Sequence, residues 1–382
     1  MSNKCLDNIK ILHLAQDEKF IDMGLASFER VGVINKLIVF TDGQLGKVKF
    51  SNKDVVLLRD FNSKIIEEVM NDFDIIILHS LFSSRFTFPE KVKVIWIGFG
   101  FDYYPYICDD DDLLLEGSLL YSKRCRFNLS SVKNITKRAI RKISDKLDIK
   151  IGMEKVISRI DYFSPVLVDE YIKIRRNNFP RNILDWNYGT LEDDLIKGFE
   201  LSEVNGDNIL LGNSATITNN HIDSINMLSE LNLENKKIVI PLSYGNGQYR
   251  NYVDRLAMKK FGNDYVPLID YMSMSDYVRV LQSCSVIIMN HLRQQALGNI
   301  IIGLHMGAKI YLQEKNPIYG YLKGIGFVIY SISEVKNDNI NSRMSKEDVN
   351  NNRELLSKIW SRDVIDGKTK SMIETVLEDI NN

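Results

Sequence analysis

The sequence predicts an α/β protein of two domains, each containing a parallel β-sheet covered by helices. A chain of 382 residues is too long for one ordinary core. Short apolar runs rich in Ile and Val alternate with helical patterns, which is typical of parallel sheets. A polar stretch from 177 to 194 separates two sets of such runs. We therefore place residues 1–185 in an N-terminal domain and 186–382 in a C-terminal domain, allowing the C-terminal helix to cross back.

Each predicted strand is a short apolar run that ends in polar or turn-forming residues. In the first half the predicted strands are 9–14, 36–40, 54–58, 74–79 and 93–98. In the second half they are 208–212, 237–241, 265–268, 285–289, 309–312 and 326–330. Two such domains with a cleft between them describe a GT-B-like architecture of two Rossmann-like units, in which ligands bind at the carboxyl ends of the strands.

Composition excludes several classes of function. The formal net charge of -1 argues against general nucleic-acid binding. The four cysteines have neither zinc-site spacing nor the density of a disulfide framework, which favours a reducing cytoplasm. No long apolar leader or 18-residue apolar run is present, so we expect neither a secreted nor a membrane-spanning protein. The acidic run 109–112 is interpreted as a solvated helix start, and we predict no metal site and no cofactor.

The most informative segment is the loop between strand 285–289 and a helix that begins near Gly298. This junction places unpaired backbone N–H groups and the positive end of a helix dipole beside Arg293, which suits a diphosphate. A guanidinium can bridge two phosphate oxygens and stabilise the charge that builds up on a departing nucleoside diphosphate. The alternative is a surface arginine paired with a carboxylate; the loop position beside Gln294 disfavours it.

We interpret the junction at Arg293 as the donor site of a nucleotide-sugar glycosyltransferase. Three further strand ends carry candidate residues for binding the same nucleotide-sugar donor. At Gly212, the glycine lets the backbone pass close to a ligand, although the same motif alone also forms ordinary turns. Tyr244 is expected to stack on a base or to bond a phosphate, unless it is only a surface tyrosine on a flexible loop. Glu314 is expected to accept sugar hydroxyls, unless it forms a solvated Glu-Lys pair. The rest of the predicted donor set is Asn213, Ser214, His221, Gln294, Gly298, Asn299 and Asn316.

The N-terminal domain is expected to bind the acceptor. If the glycosyl transfer inverts the configuration of the sugar, this domain supplies a base that takes the proton of the acceptor hydroxyl. Asp102 is the preferred candidate, because it follows the glycine-rich turn after strand 93–98. His13 and Asp17, at the end of the first strand, are the next candidates. At each position a polar residue that only caps a helix remains an open alternative.

Several segments together resemble a known family. They are 209–214 with 220–221, 239–245, 277–284, 293–299 and 313–317, with a weaker match over 95–104. This pattern resembles the 4-acetamido-4,6-dideoxygalactose (Fuc4NAc) transferases of enterobacterial common antigen synthesis, glycosyltransferase family 56. The sequence departs from the family pattern at 215–218 and near Phe99.

The resemblance implies a GT-B fold, no required metal and a dTDP-linked amino sugar as donor. It also implies an undecaprenyl-diphosphate-linked glycan as acceptor, on the cytoplasmic face of the bacterial inner membrane. Two alternatives stay open. One is a GT-B transferase that uses another nucleotide sugar for capsule or O-antigen assembly, and the other is a non-catalytic nucleotide-sugar-binding scaffold.

The segment 123–150 carries ten Lys or Arg residues against two Asp residues, with apolar residues between them. Such a basic amphipathic helix is attracted to anionic lipid by about 1 kcal/mol for each cation near the surface. We therefore expect peripheral attachment to an anionic membrane surface. The alternative is an ordinary charged helix packed on the first sheet.

Overall fold

The computed structural model describes residues 6–18, 20–130, 149–174, 178–234, 236–336 and 338–382. The chain forms two compact units. Unit 1 comprises Met1–Ile107, Val132–Asp194 and Trp360–Asn382, and unit 2 comprises Cys108–Ser131 and Leu195–Ile359. Both units are therefore discontinuous in sequence.

The sheet of unit 1 is parallel and has seven strands in the order β3-β2-β1-β4-β5-β6-β7. The strands are β1 (Lys10–Gln16), β2 (Ile34–Thr41), β3 (Lys53–Leu57), β4 (Ile75–His79), β5 (Lys93–Ile97), β6 (Tyr162–Ser164) and β7 (Asn182–Ile183). The strand order reverses between β1 and β4, which pair directly through Ile11 and Ile75. Both central strands are buried along nearly their whole length, which explains why they read as continuous apolar runs.

The sheet of unit 2 is also parallel and has six strands in the order β10-β9-β8-β11-β12-β13. The strands are β8 (Asn208–Leu211), β9 (Ile238–Pro241), β10 (Tyr265–Leu268), β11 (Cys284–Met289), β12 (Lys309–Leu312) and β13 (Tyr330–Ser331). Here the order reverses between β8 and β11, whose residues Leu211 and Ile288 pair. The loops that leave these two strands consequently turn to opposite sides.

The described residues contain eleven α-helices. They are α1 (Ile21–Val31), α2 (Ser63–Met70), α3 (Glu116–Ser130), α4 (149–159), α5 (His221–Leu228), α6 (Gly247–Phe261), α7 (Met274–Gln282), α8 (Leu297–Met306), α9 (Pro317–Ile325), α10 (Lys346–Trp360) and α11 (Arg362–Asn381). None of the helices in these described ranges is both long enough and apolar enough to cross a membrane.

The C-terminal helix α11 belongs to unit 1 because its apolar face completes that core. Met372, Ile373 and Val376 are buried in one cluster with Ile9 and Phe28 of the β1–α1 region. Val376 lies four residues after Met372 and three after Ile373, so the three side chains share one helical face. At the edge of this contact Arg30 of α1 binds Asp366 of α11 through a forked ion pair, at 2.7 to 2.9 Å.

Helix α3 belongs to unit 2 because a carboxylate of α5 caps its first turn. Asp223 accepts hydrogen bonds from the backbone N–H groups of Gly117, at 2.7 Å, and Ser118, at 3.0 Å. A negative charge at a helix N-terminus is favoured by the unpaired N–H groups there. The basic segment 123–150 begins within α3, and its central part, 131–148, lies outside the described residues.

The structure confirms ten of the eleven predicted strands. It adds β6 and β7, which the sequence left within the region between the two domains. These strands have three and two residues, too few to produce a periodic signal. The run predicted at 326–330 pairs only at its end, as β13.

Candidate functional site

The predicted donor-binding residues lie at one edge of the unit 2 sheet. Gly212 follows β8, Tyr244 follows β9, Arg293 follows β11 and Glu314 follows β12. Because all four strands are parallel, their carboxyl ends meet at this edge. The edge includes the reversal between β8 and β11, the place at which open parallel sheets generally bind ligands.

The turn after β8 requires glycine at position 212. The φ angle there is +69°, and a Cβ atom would lie 2.6 Å from His221 Nε2 and 2.7 Å from Asn219 Oδ1. The side chain of Asn219 holds the turn from below, since it accepts a hydrogen bond from Asn213 N at 2.8 Å and donates to Ser214 Oγ at 3.2 Å. Asn219 was not among the predicted site residues. Its position just before α5, at the same strand-to-helix turn as Gly212, could have indicated it.

The loop after β9 is joined to this turn by backbone hydrogen bonds. Ala215 N donates to the Tyr244 carbonyl at 2.7 Å, and Asn246 N donates to the Ala215 carbonyl at 2.9 Å. Gly245 permits the close approach, because its φ angle is +118° and a Cβ atom would lie 2.5 Å from the Ala215 carbonyl. Asn213 Nδ2 also donates to the Tyr244 hydroxyl at 3.1 Å. The two loops therefore act as one piece, with the Tyr244 ring 54% exposed.

The loop after β11 joins the same group through Gln295. Its Nε2 donates to Asn213 Oδ1 at 2.9 Å, and its Oε1 accepts from Thr218 Oγ1 at 2.9 Å. The sequence pointed to the neighbouring Gln294, which is buried. Side chains of adjacent loop residues point in different directions, so only the folded loop decides which glutamine faces its partners.

Helix α8 begins one residue before the predicted position, at Leu297. The preceding residue, Ala296, has a φ angle of +62°, a left-handed conformation that costs a non-glycine residue about 1–2 kcal/mol. The first backbone N–H group bonded back to the cap is that of Ile300, which donates to Ala296 O at 3.2 Å. The N–H groups of Leu297, Gly298 and Asn299 therefore precede the intrahelical pattern, as expected for an anion-binding helix start.

Two predicted residues near α8 have contacts that define their orientation. Arg293 is half-buried, and its Nη1 donates to the Gln294 carbonyl at 2.9 Å. The Asn299 side chain is directed towards α7, where its Nδ2 donates to the hydroxyl of Tyr277 at 2.8 Å. Burial, and then the neighbouring Tyr244, raise the pKa of Tyr277, so its hydroxyl stays protonated.

Two histidines lie beneath these loops. His291 Nε2 contacts Asn219 Oδ1 at 2.9 Å, and because that oxygen only accepts, Nε2 carries the proton. Burial, followed by the charge of Arg293, lowers the pKa of His291. Burial also lowers the pKa of His221 to about 3, against a smaller opposing effect of the Leu211 carbonyl. Within the described part of the chain, neither ring nitrogen of His221 has a hydrogen bond of normal geometry. The ring packs beneath the Gly212 turn and supports it from inside.

Glu314 and Asn316 lie on the loop after β12. The exposed Glu314 carboxylate accepts hydrogen bonds from Ser331 Oγ at 2.5 Å and Ser333 Oγ at 2.7 Å, and these bonds lower its pKa. Asn316 is buried and caps α9 by accepting from Ile318 N at 3.0 Å. The Glu314 carboxylate is thus held as a charged acceptor by the last residue of β13 and by the segment that follows it. Asn316 has a structural role as the cap of α9.

In unit 1, the carboxylate of Asp102 has a fixed orientation and a raised pKa. Its Oδ2 accepts from Trp96 Nε1 at 2.8 Å and from Leu81 N at 3.0 Å, and its Oδ1 accepts from Phe99 N at 2.8 Å. Burial raises the pKa of Asp102 despite these bonds. A raised pKa makes a carboxylate a better proton acceptor, and the three donors fix its orientation.

The other two base candidates have different surroundings. Asp17 accepts hydrogen bonds from three consecutive backbone N–H groups, those of residues 46–48, at 2.8 to 3.0 Å. Burial acts to raise its pKa, but these bonds outweigh it and leave the pKa lowered. His13 is fully buried, bonded to His79 at 2.9 Å and Asn35 at 3.0 Å, and burial lowers its pKa to about 4. Both arrangements weaken a proton acceptor, so the geometry favours Asp102.

The two parallel-sheet units define the GT-B class of glycosyltransferase folds. The chain is similar to a glycosyltransferase from Rickettsia africae, with a TM-score of 0.57 and 13% identity over 98% of this chain and 100% of the other. It is also similar to the sucrose-phosphate synthase of Thermosynechococcus elongatus, with a TM-score of 0.61 and 8% identity over 97% and 100%. A third similar structure is that of Anabaena HepE in complex with UDP and glucose, with a TM-score of 0.59 and 9% identity over 96% of this chain and 100% of the other. At these identities the likeness concerns the fold.

Residues 169–354 match the family described as 4-alpha-L-fucosyltransferase, glycosyl transferase group 56. The matched segment contains every predicted donor-binding residue from Gly212 to Asn316. The match supports the assignment to glycosyltransferase family 56 and a glycosyltransferase enzyme that uses a nucleotide sugar.

Substituting Gly212→Ala is expected to destabilise unit 2. Alanine at this position has to keep a positive φ angle, which costs a residue with a Cβ atom about 1–2 kcal/mol. The new Cβ atom also collides with the side chains of His221 and Asn219. Chemical denaturation of the purified variant measures the loss of unfolding free energy. Gly320→Ala within α9 is the matched control, because its Cβ atom has no neighbour within 4 Å and alanine is favoured in helices by about 1 kcal/mol. Equal stability of both variants would contradict the geometry of the turn.

The buried His221 is expected to make unfolding take up a proton in mild acid. Its pKa is about 3 in the folded chain and 6.5 when unfolded, so near pH 5 only the unfolded state is charged at this residue. Its contribution to stability is complete above pH 6.5 and is lost as pH falls towards 3, by about 1.4 kcal/mol for each pH unit. Calorimetry in buffers of different ionisation heat measures the proton uptake. In His221→Phe the uptake should fall by about one proton, and an unchanged value would show that His221 is not buried neutral.

Proposed function

We propose that this protein is a metal-independent GT-B glycosyltransferase that moves 4-acetamido-4,6-dideoxygalactose from a dTDP donor to an undecaprenyl-diphosphate-linked oligosaccharide. The observation that carries the proposal is the linked group of loops at the carboxyl edge of the unit 2 sheet. A chain of side-chain hydrogen bonds runs from Tyr244 through Asn213 and Gln295 to Thr218. It ties three loops together beside Arg293 and the first N–H groups of α8.

The donor half of the reaction is assigned to unit 2. The diphosphate accepts hydrogen bonds from the N–H groups of Leu297, Gly298 and Asn299, and the Arg293 guanidinium balances its charge. As the bond between the sugar C1 and the phosphate oxygen breaks, negative charge builds up on the leaving group, and fixed donors stabilise that charge without reorganisation. Tyr244 and Glu314 are assigned to the nucleoside, as stacking surface and hydroxyl acceptor respectively.

The acceptor half of the reaction is assigned to unit 1. The acceptor hydroxyl attacks C1 and loses its proton to Asp102, whose pKa is raised by burial. This step assumes an inverting transfer, in which one base suffices and no covalent intermediate forms.

We further propose that the basic segment 123–150 attaches the enzyme to anionic lipid on the cytoplasmic face of the bacterial inner membrane, where a polyprenyl-linked acceptor resides.

Arg293→Ala is expected to lower turnover by about 10²–10³-fold, because it removes a charge that is needed most in the transition state. Turnover is followed as release of dTDP from the dTDP-sugar in the presence of the lipid-linked acceptor. Arg279→Ala is the matched control, since this arginine is 66% exposed on α7 and paired with Asp276. Turnover of Arg293→Ala equal to that of the control would remove Arg293 from the site.

The dTDP specificity is expected to appear as selective stabilisation of unit 2. Titration with dTDP, UDP and GDP in thermal denaturation should give the largest shift for dTDP, since a ligand that binds only the folded state raises its stability with concentration. A larger shift for UDP or GDP would favour the alternative transferase for capsule or O-antigen. Binding of dTDP without release from any dTDP-sugar in the presence of membrane lipid would favour the non-catalytic scaffold.

A further inference from the structure

Unit 1 contains a continuous chain of four hydrogen-bonded side chains that the proposed mechanism does not use. It runs from Asn35 on β2 through His13 on β1 and His79 on β4 to Tyr188, which lies after β7. Asn35 Oδ1 contacts His13 Nε2 at 3.0 Å, His13 Nδ1 contacts His79 Nε2 at 2.9 Å, and His79 Nδ1 contacts the Tyr188 hydroxyl. Both histidines are fully buried.

The direction of the first bonds in this chain is fixed by the backbone. Asn35 Nδ2 donates to the Val33 carbonyl at 3.0 Å, so its Oδ1 is the atom that faces His13. That oxygen only accepts, and His13 Nε2 must therefore carry a proton. Burial lowers the pKa of His13 to about 4, which leaves the ring neutral at neutral pH. Its Nδ1 then has no proton and accepts a hydrogen bond from His79.

The same reasoning extends the chain to Tyr188. His79 Nε2 donates to His13, and burial followed by the neighbouring His13 lowers the pKa of His79, so His79 is also neutral. Its Nδ1 consequently accepts, and the Tyr188 O–H must donate to it. Burial and then Asp102 raise the pKa of Tyr188, which keeps it a phenol. Every proton in the chain thus has one position, and the lone pairs of the Tyr188 oxygen remain available.

The Tyr188 ring is held at the same edge of the sheet as the proposed base. Its centroid lies 4.7 Å from that of Trp186 and 5.1 Å from that of Phe99, which neighbours the Asp102 turn. Gly24 of α1 makes room for the ring, because a Cβ atom there would lie 3.0 Å from Tyr188 Cε1. The side chain is half-buried. Among the described residues, none donates a hydrogen bond to its oxygen.

We propose that Tyr188 binds the acceptor sugar by accepting a hydrogen bond from a hydroxyl other than the one that attacks. This assignment rests on the proposed function. Because His79 Nδ1 accepts the Tyr188 O–H, the phenol cannot turn its own proton towards the substrate. The phenol oxygen therefore selects an acceptor sugar that places a hydroxyl donor next to it. An acceptor with a methyl ether or a hydrogen there leaves the phenol oxygen without a donor. A site built to bond a hydroxyl group discriminates strongly against analogues that lack it.

The test begins with a readout that does not depend on turnover. In protein labelled with ¹⁵N-histidine, His13 and His79 should both appear as neutral rings protonated at Nε2. In Tyr188→Phe the Nδ1 resonance of His79 should shift, because that nitrogen loses the hydrogen bond from the Tyr188 hydroxyl, while the resonances of His221 and His291 stay unchanged. A Nδ1-protonated His79 in the wild-type protein would overturn the assigned direction and with it the proposal.

The kinetic test uses the undecaprenyl-diphosphate-linked disaccharide as acceptor. Tyr188→Phe should raise KM for this acceptor by about 10-fold or more, as for one lost hydrogen bond to a substrate hydroxyl, with the dTDP-induced thermal shift unchanged. The matched control is Tyr271→Phe, at a tyrosine that is 88% exposed in unit 2. An unchanged acceptor KM with normal dTDP binding would overturn this inference alone. A wild-type protein that binds no nucleotide would overturn the proposed function and the assignment of Tyr188 together.

Discussion

Parallel strand pairing is the constraint on which both units depend. Because every strand in a parallel sheet runs in the same direction, every loop that leaves its carboxyl end emerges at one edge. In unit 2 this places Gly212, Tyr244 and Arg293 near one another, although they are far apart in sequence. In unit 1 it does the same for His79 and Asp102. Buried apolar strands provide a rigid base for these polar loops, and a rigid base preorganises a site.

Amide side chains complete this arrangement in unit 2. Asn213, Asn219 and Gln295 each donate and accept at once, which allows them to connect loops that have no regular secondary structure. Glycines at 212 and 245 allow the backbones to approach as closely as these bonds require. A buried polar network of this kind is stabilising only when its partners are satisfied. The close fit explains why the two loops behave as one element.

Buried neutral histidines have a related role in both units. In unit 2, His221 fills the space beneath the Gly212 turn, and His291 donates to Asn219. In unit 1, His13 and His79 transmit the orientation of Asn35 to Tyr188. Removing imidazole from water disfavours its charged form, so a single donor and a single acceptor remain on each ring. Such a ring accepts a hydrogen bond at one nitrogen while it donates from the other, which a charged imidazolium cannot do.

The sequence by itself determined ten of the strands, because buried parallel strands are continuous apolar runs, and it placed Arg293 and Asp102 on the loops that follow two of them. Only the tertiary structure decided that Gln295 faces Asn213 while Gln294 is buried, and that Tyr188 closes a chain begun by His13. It also decided that α11 completes the core of unit 1, whereas α3 is capped by Asp223 of unit 2. The physical reason is range: strand periodicity is local, whereas side-chain partners and helix docking depend on residues up to several hundred positions away, and only packing selects them.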